Sequence, residues 1–149
     1  MRRSLVALAA IVLALVSGCS ETPEDVRAGY CELVSERQAE LSEVLAVDSP
    51  DALLTALPVF RDLAGEAPRD LTDDWETFIA ALEGLQEALD EAGADPATYD
   101  ADDPPEGVTR EQRDDIAAAA DELFSPEVTA AYDGVKQQAT DVCKTPLFR

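Results

Sequence analysis

The 149 residues carry 32 acidic and 11 basic side chains, no histidine, and a formal net charge of −21. That charge excludes a nucleic-acid binder, because contact with phosphates needs a basic surface. The missing histidine excludes Ser-His-Asp and Cys-His catalysis and, in practice, zinc sites of the usual His/Cys type.

Met1-Arg2-Arg3 opens the chain with charge, and Leu5 to Val16 follows as a nearly pure run of Leu, Val, Ala and Ile. The run is too short to cross a bilayer, which takes about 20 apolar residues. A basic start, a short apolar core and small residues before a cut point read as a secretory signal. The run ends in Val16-Ser17-Gly18-Cys19, which resembles the lipobox of bacterial lipoprotein precursors, a motif that prefers Leu where Val16 stands but accepts Val. The resemblance covers the leader alone. It implies that residues 1–18 are a cleaved signal peptide and that Cys19 is lipidated, with a thioether-linked diacylglycerol carrying palmitate-type chains. The alternative is an ordinary signal peptide with an incidental cysteine. Two acyl chains anchor stably where one is marginal. The expected address is therefore the outer face of the cytoplasmic membrane, with 19–22 as a lipidated tether and 23–149 as the folded domain.

Without Arg2 and Arg3, nine basic residues face 32 acidic ones, a net charge of −23. Such a body is repelled by anionic headgroups and relies on its anchor; the acidity keeps it soluble and monomeric. The chain has no asparagine and only two lysines, Lys136 and Lys144. It resembles small actinobacterial helical lipoproteins of unknown function, several of which place a Tyr-Cys pair early and a cysteine near the C-terminus. Tyr30-Cys31 and Cys143 match that pattern. With Cys19 given to lipid, the other two cysteines form an even pair. An oxidising envelope favours a Cys31–Cys143 disulfide, worth up to about 5 kcal/mol for a loop on the order of a hundred residues.

Thr22-Pro23-Glu24-Asp25 predicts a helix start, with Thr as N-cap and Pro at N1. Val26, Tyr30, Leu33, Val34, Leu41, Val44 and Leu45 then form one apolar stripe to about Val47. Ser49-Pro50-Asp51 repeats the start signal for a second helix to about Ala64, with Leu53, Leu54, Leu57, Phe60 and Leu63 buried and Gly65 as the stop. Pro58 inside it is expected to kink or split it. Ala67-Pro68-Arg69-Asp70 opens a third helix. Leu71, Trp75, Phe78, Leu82, Leu85 and Leu89 step by four and three, an a/d seam ended by Gly93. Gly84 lies off that seam, where close helix packing is expected.

Residues 94–108 are acidic and proline-rich with little apolar content, and read as a linker. Tyr99 within it either packs the loop down or is exposed as a contact for a partner. Thr109-Arg110-Glu111-Gln112 predicts a capping box for a fourth helix through Ile116, Ala120 and Leu123. Ser125-Pro126-Glu127 starts a fifth, with Val128, Tyr132, Val135, Ala139 and Val142 on its seam. No run alternates as a strand does.

The fold class expected is an all-α, antiparallel four- or five-helix bundle. Strict up-down alternation of five helices would put Cys143 at the end of the bundle away from Cys31. A long crossover by 94–108, which reaches roughly 45 Å when extended, resolves this by letting the fourth helix rise and the fifth descend.

Function is less constrained. The leading expectation is a non-enzymatic interaction module with an envelope protein as its partner, with no catalytic residue and no cofactor. The alternative is a binding protein for a small apolar ligand or a cation such as calcium. Trp75, Phe78 and Tyr132 either line a pocket or, as their seam positions favour, pack the core. Asp100, Asp102 and Asp103 are close enough to share a cation, but the EF-hand pattern is not met.

Overall fold

The computed structural model describes residues 22–47 and 49–149. The lipobox and Cys19 lie outside the described residues. Five helices follow in chain order: α1 (Pro23–Leu45), α2 (Ala52–Gly65), α3 (Thr72–Ala92), α4 (Arg110–Leu123) and α5 (Pro126–Asp141). No strand occurs among the described residues, and none of the helices is long and apolar enough to cross a membrane.

Local chemistry sets the helix starts. The Thr22 hydroxyl accepts the Asp25 N–H at 3.2 Å, and the Asp25 carboxylate accepts the Thr22 N–H at 3.0 Å. These two reciprocal bonds satisfy donors that the first turn would otherwise strand. The Thr22 hydroxyl and amide also hold the Asp25 carboxyl below its ordinary range. Thr109 and Gln112 form the same box at 3.2 and 3.0 Å. Ser125 caps α5 through the Val128 N–H at 3.2 Å, with Pro126 at the first helical position.

Three local expectations need correction. α2 begins at Ala52, after the Ser-Pro-Asp signal, because the Asp51 carboxylate is taken up by the Ser49 and Thr55 hydroxyls and caps no amide. Pro58 does not split α2, which runs unbroken with Pro58 exposed on its outer side. α3 begins at Thr72: residues 67–71 form a turn, closed by the Leu71 N–H on the Pro68 carbonyl at 2.9 Å, and Leu71 has no side chain with which to cap.

The third helix is the centre of the bundle, packing against α2, α4 and α5. Its seam is buried at Leu71, Trp75, Phe78, Leu82 and Leu89, with Leu85 partly buried. Gly93 ends it in the left-handed conformation (φ 62°), which lets the Ala94 N–H reach the Leu89 carbonyl at 2.9 Å. The close approach expected at Gly84 is absent, since a Cβ there would meet nothing within 4 Å. It occurs instead at Gly134 of α5, where a Cβ would fall 2.6 Å from the Asp74 carboxylate of α3.

Aromatic packing fills the lower core. Phe60 meets Phe78 edge-on at 5.2 Å, and Phe78 stacks on Tyr132 at 4.4 Å. The buried Trp75 indole N–H donates to the Tyr30 hydroxyl at 3.2 Å, so neither large residue brings an unmet polar group inside. Trp75, Phe78 and Tyr132 are thus core residues, as their seam positions favoured.

The helix directions follow from who touches whom. Arg37 of α1 pairs with Asp62 of α2, and Arg61 of α2 with Glu83 of α3, both at 2.8 Å. At the far end of α3, the Gln112 side-chain amide of α4 donates to the Glu91 carbonyl at 2.9 Å. Ile116 packs with Leu89, so α4 starts where α3 stops. Tyr132 on Phe78 and Gly134 on Asp74 then carry α5 onward along the first half of α3. Consequently α4 and α5 run the same way, one after the other, both antiparallel to α3. The linker makes no bundle-length descent. The alternation puzzle is solved because two helices share the fourth position, broken at Phe124–Ser125.

That path brings Cys143 to Cys31 at the end where α1 begins: the disulfide is formed, with an S–S distance of 1.99 Å across 112 positions of sequence. Lys144 turns the chain with φ 57°, and the last residues run back along α1. Gln38 donates to the Pro146 carbonyl, and the Ser42 hydroxyl accepts the Arg149 N–H at 2.9 Å. Leu147 is buried in the main core, and Phe148 stacks beyond Tyr132 at 6.5 Å.

Two stability measurements follow. Gly84→Ala removes backbone freedom from an open helical position and should stabilise by about 0.5–1 kcal/mol, read as a rise in thermal midpoint; a fall would show that the site is tighter than its surroundings indicate. Burial pushes the Tyr30 hydroxyl up to about 12, and burial followed by the Asp133 charge does the same for Tyr132. Both groups bind protons more tightly when folded, so their contribution is complete below the ordinary tyrosine value of about 10 and is lost as pH rises toward 12. The denaturant midpoint should fall across that window, and fall less in Tyr30→Phe than in the parent chain; equal slopes would contradict the assignment.

Candidate functional site

The upper half of the bundle is packed differently from the lower half. A cleft of about 400 Å³ opens between the start of α2, the second half of α3, α4 and the 94–108 linker. Leu53 and Leu54 form one wall, Leu85 and Leu89 the floor, and Ile116, Ala117, Ala120 and Leu123 the opposite wall.

Its origin lies in the composition of α4. Residues 117–120 are four consecutive alanines, strong helix formers that carry almost no volume. Opposite Leu85 and Leu89, where α5 would present Val or Tyr, α4 presents Ala117 and Ala120. Close packing requires that facing volumes sum to the available space; here they do not. Leu53 and Leu54, expected to be buried, are therefore only partly covered.

Tyr99 packs the linker down against the small cluster of Leu89, Ala94 and Ile116, which decides between its two readings, and it also lines the cleft. Phe124, at the break between α4 and α5, lies at the rim and is 75% exposed. Singly exposed apolar residues are ordinary; what distinguishes Phe124 is its place beside the apolar cleft. Neither helix seam includes it, which is why periodicity did not mark it; its position immediately before the Ser125-Pro126 start was the available signal.

The groove between α1 and α2 has a different character: about 440 Å³ in volume, it is lined mainly by Glu32, Glu36, Arg37, Asp62 and Glu66 and is spanned by the Arg37–Asp62 ion pair. Such a solvated surface offers little to a ligand that water does not already offer.

The acids of the linker do not gather. Asp100 accepts the Asp102 N–H at 2.9 Å, and Asp95 accepts the Ala97 N–H at 3.0 Å, both within their own turns. Among the described residues, no three Cys, Asp or Glu side chains are placed to hold a metal ion. No acidic side chain among them is buried, so no carboxylate there has the desolvated setting that acid–base catalysis uses. Cys31 and Cys143 are bonded to each other, at the end of the bundle away from the cleft.

Comparison with protein-family models, with curated proteins and with solved structures finds no match. The chemistry of the cleft is accordingly the guide to function.

Proposed function

We propose that this chain is the body of an extracytoplasmic lipoprotein, tethered through Cys19 to the outer face of the cytoplasmic membrane, that binds a small apolar ligand between α2, α3 and α4. The observation that carries the ligand reading is the cleft itself. Its volume falls within the range of about 300–1,000 Å³ common to small-molecule sites, and its lining is apolar or aromatic apart from Arg113. Binding rather than turnover is the activity these walls support, because their contribution is desolvation of apolar surface. The lipobox resemblance supports the anchor, and the disulfide fits an oxidising compartment.

A second reading, an interaction module that docks an envelope protein, is favoured by one observation: the exposed Phe124 at the rim. It places the contact at the same mouth and is separable by experiment, since a partner protein would need Phe124 and a small ligand would need the interior.

Filling the interior tests the ligand reading. Ala120→Leu should raise stability by about 0.5–2 kcal/mol, as cavity-filling changes do, and should weaken binding of the neutral apolar dye N-phenyl-1-naphthylamine by tenfold or more. Dye binding unchanged by Ala120→Leu would remove the cleft as the site. For the anchor, cells given radiolabelled palmitate should label the parent chain and not Cys19→Ser; equal labelling of the two would contradict lipidation at Cys19.

A further inference from the structure

The charge pattern around the cleft departs from that of the rest of the chain. Acidic residues outnumber basic ones about threefold, yet among the described residues no Asp or Glu lines the cleft, and the charged residue that does is Arg113. Arg113 stands on α4 one turn before Ile116 and Ala117, on the face that closes the cleft.

Its guanidinium is also uncommitted. Among the described residues, Arg37, Arg61, Arg110 and Lys136 each hold a carboxylate within 4 Å, Arg110 doing so with Asp114 on the same helix. Arg113 holds none. Asp95 and Asp100, beside the lining residues Pro96 and Tyr99, accept amides of their own loop, and Asp114, next to Arg113 in sequence, lies 3.8 Å from Arg110. A cation at the edge of an apolar cleft, in a chain with acids to spare, has the chemistry to receive an anion from outside.

We propose that the cleft binds an anionic amphiphile, its apolar part among Leu53, Leu54, Leu89 and Ile116 and its carboxylate, phosphate or sulfonate on Arg113. The planar guanidinium offers paired N–H donors that match such groups. This rests on the reading of the cleft as a ligand site and adds the ligand's charge. The net charge of −21 opposes an anion at long range, but that field is screened beyond a Debye length of about 8–10 Å. Contact with Arg113 therefore decides the preference.

Two dyes that share an apolar skeleton separate the possibilities: neutral N-phenyl-1-naphthylamine and 8-anilinonaphthalene-1-sulfonate. The parent chain should bind the sulfonate about fivefold more tightly than the neutral dye, the scale of one partly solvated ion pair. Arg113→Gln should erase that preference, and Arg113→Lys, which keeps the charge, should retain most of it. Equal affinities in the parent chain, or a preference that survives Arg113→Gln, would overturn the anionic assignment while the neutral dye's binding upheld the cleft. Failure of both dyes to bind would remove the assignment and the ligand site together.

Discussion

One seam organises this bundle. Leu71, Trp75, Phe78, Leu82, Leu85 and Leu89 make α3 apolar along its whole length, and no single helix after it is long enough to cover that stripe. The chain covers it in two pieces. α5 meets the first half with Val128, Tyr132, Val135 and Ala139, and the result is a dense aromatic core around Phe60, Trp75 and Phe78. α4 meets the second half with Ile116, Leu123 and alanines. The break at Ser125-Pro126 thus divides the molecule into a filled end and an unfilled one. Loss of packing contacts is the cost of such a void, and it falls where the linker, Tyr99 and Phe124 can still shape a mouth.

The filled end carries the constraints that hold the chain together. The disulfide joins α1 to the end of α5, and the final residues continue from it up the side of α1, with Leu147 buried in the space beside that helix. The Tyr30–Trp75 hydrogen bond satisfies the polar groups of the two largest buried side chains. The acids stay outside: none among the described residues is buried, so the large negative charge governs solubility and long-range repulsion rather than the fold. Against that acidic exterior, the place of Arg113 at the edge of the apolar cleft has a chemical meaning.

Much of this was legible in the sequence where the signals were local. Thr22-Pro23 and Thr109–Gln112 capped the helices they were expected to cap, the four-three stepping from Leu71 to Leu89 named the central seam, and cysteine counting gave the disulfide. The failures concern non-local effects. The reach of residues 94–108 set only an upper limit on their path, and the contact that places α4 beside the end of α3, Gln112 on Glu91, joins residues 21 positions apart. Lys144 in a left-handed turn carries no glycine or asparagine to announce the reversal of the tail. The cleft was hidden for a related reason. Alanines 117–120 read as good helix, and only the identity of the residues facing them shows that they leave space.

The most direct test is to locate a bound apolar molecule on the protein. In a two-dimensional amide NMR titration of isotopically labelled domain with N-phenyl-1-naphthylamine, shifts should concentrate at Leu54, Leu89, Tyr99, Ile116 and Ala120, with Trp75 and Phe78 nearly still. Shifts centred on the aromatic core, or spread evenly over the surface, would contradict a ligand site built by the alanines of α4.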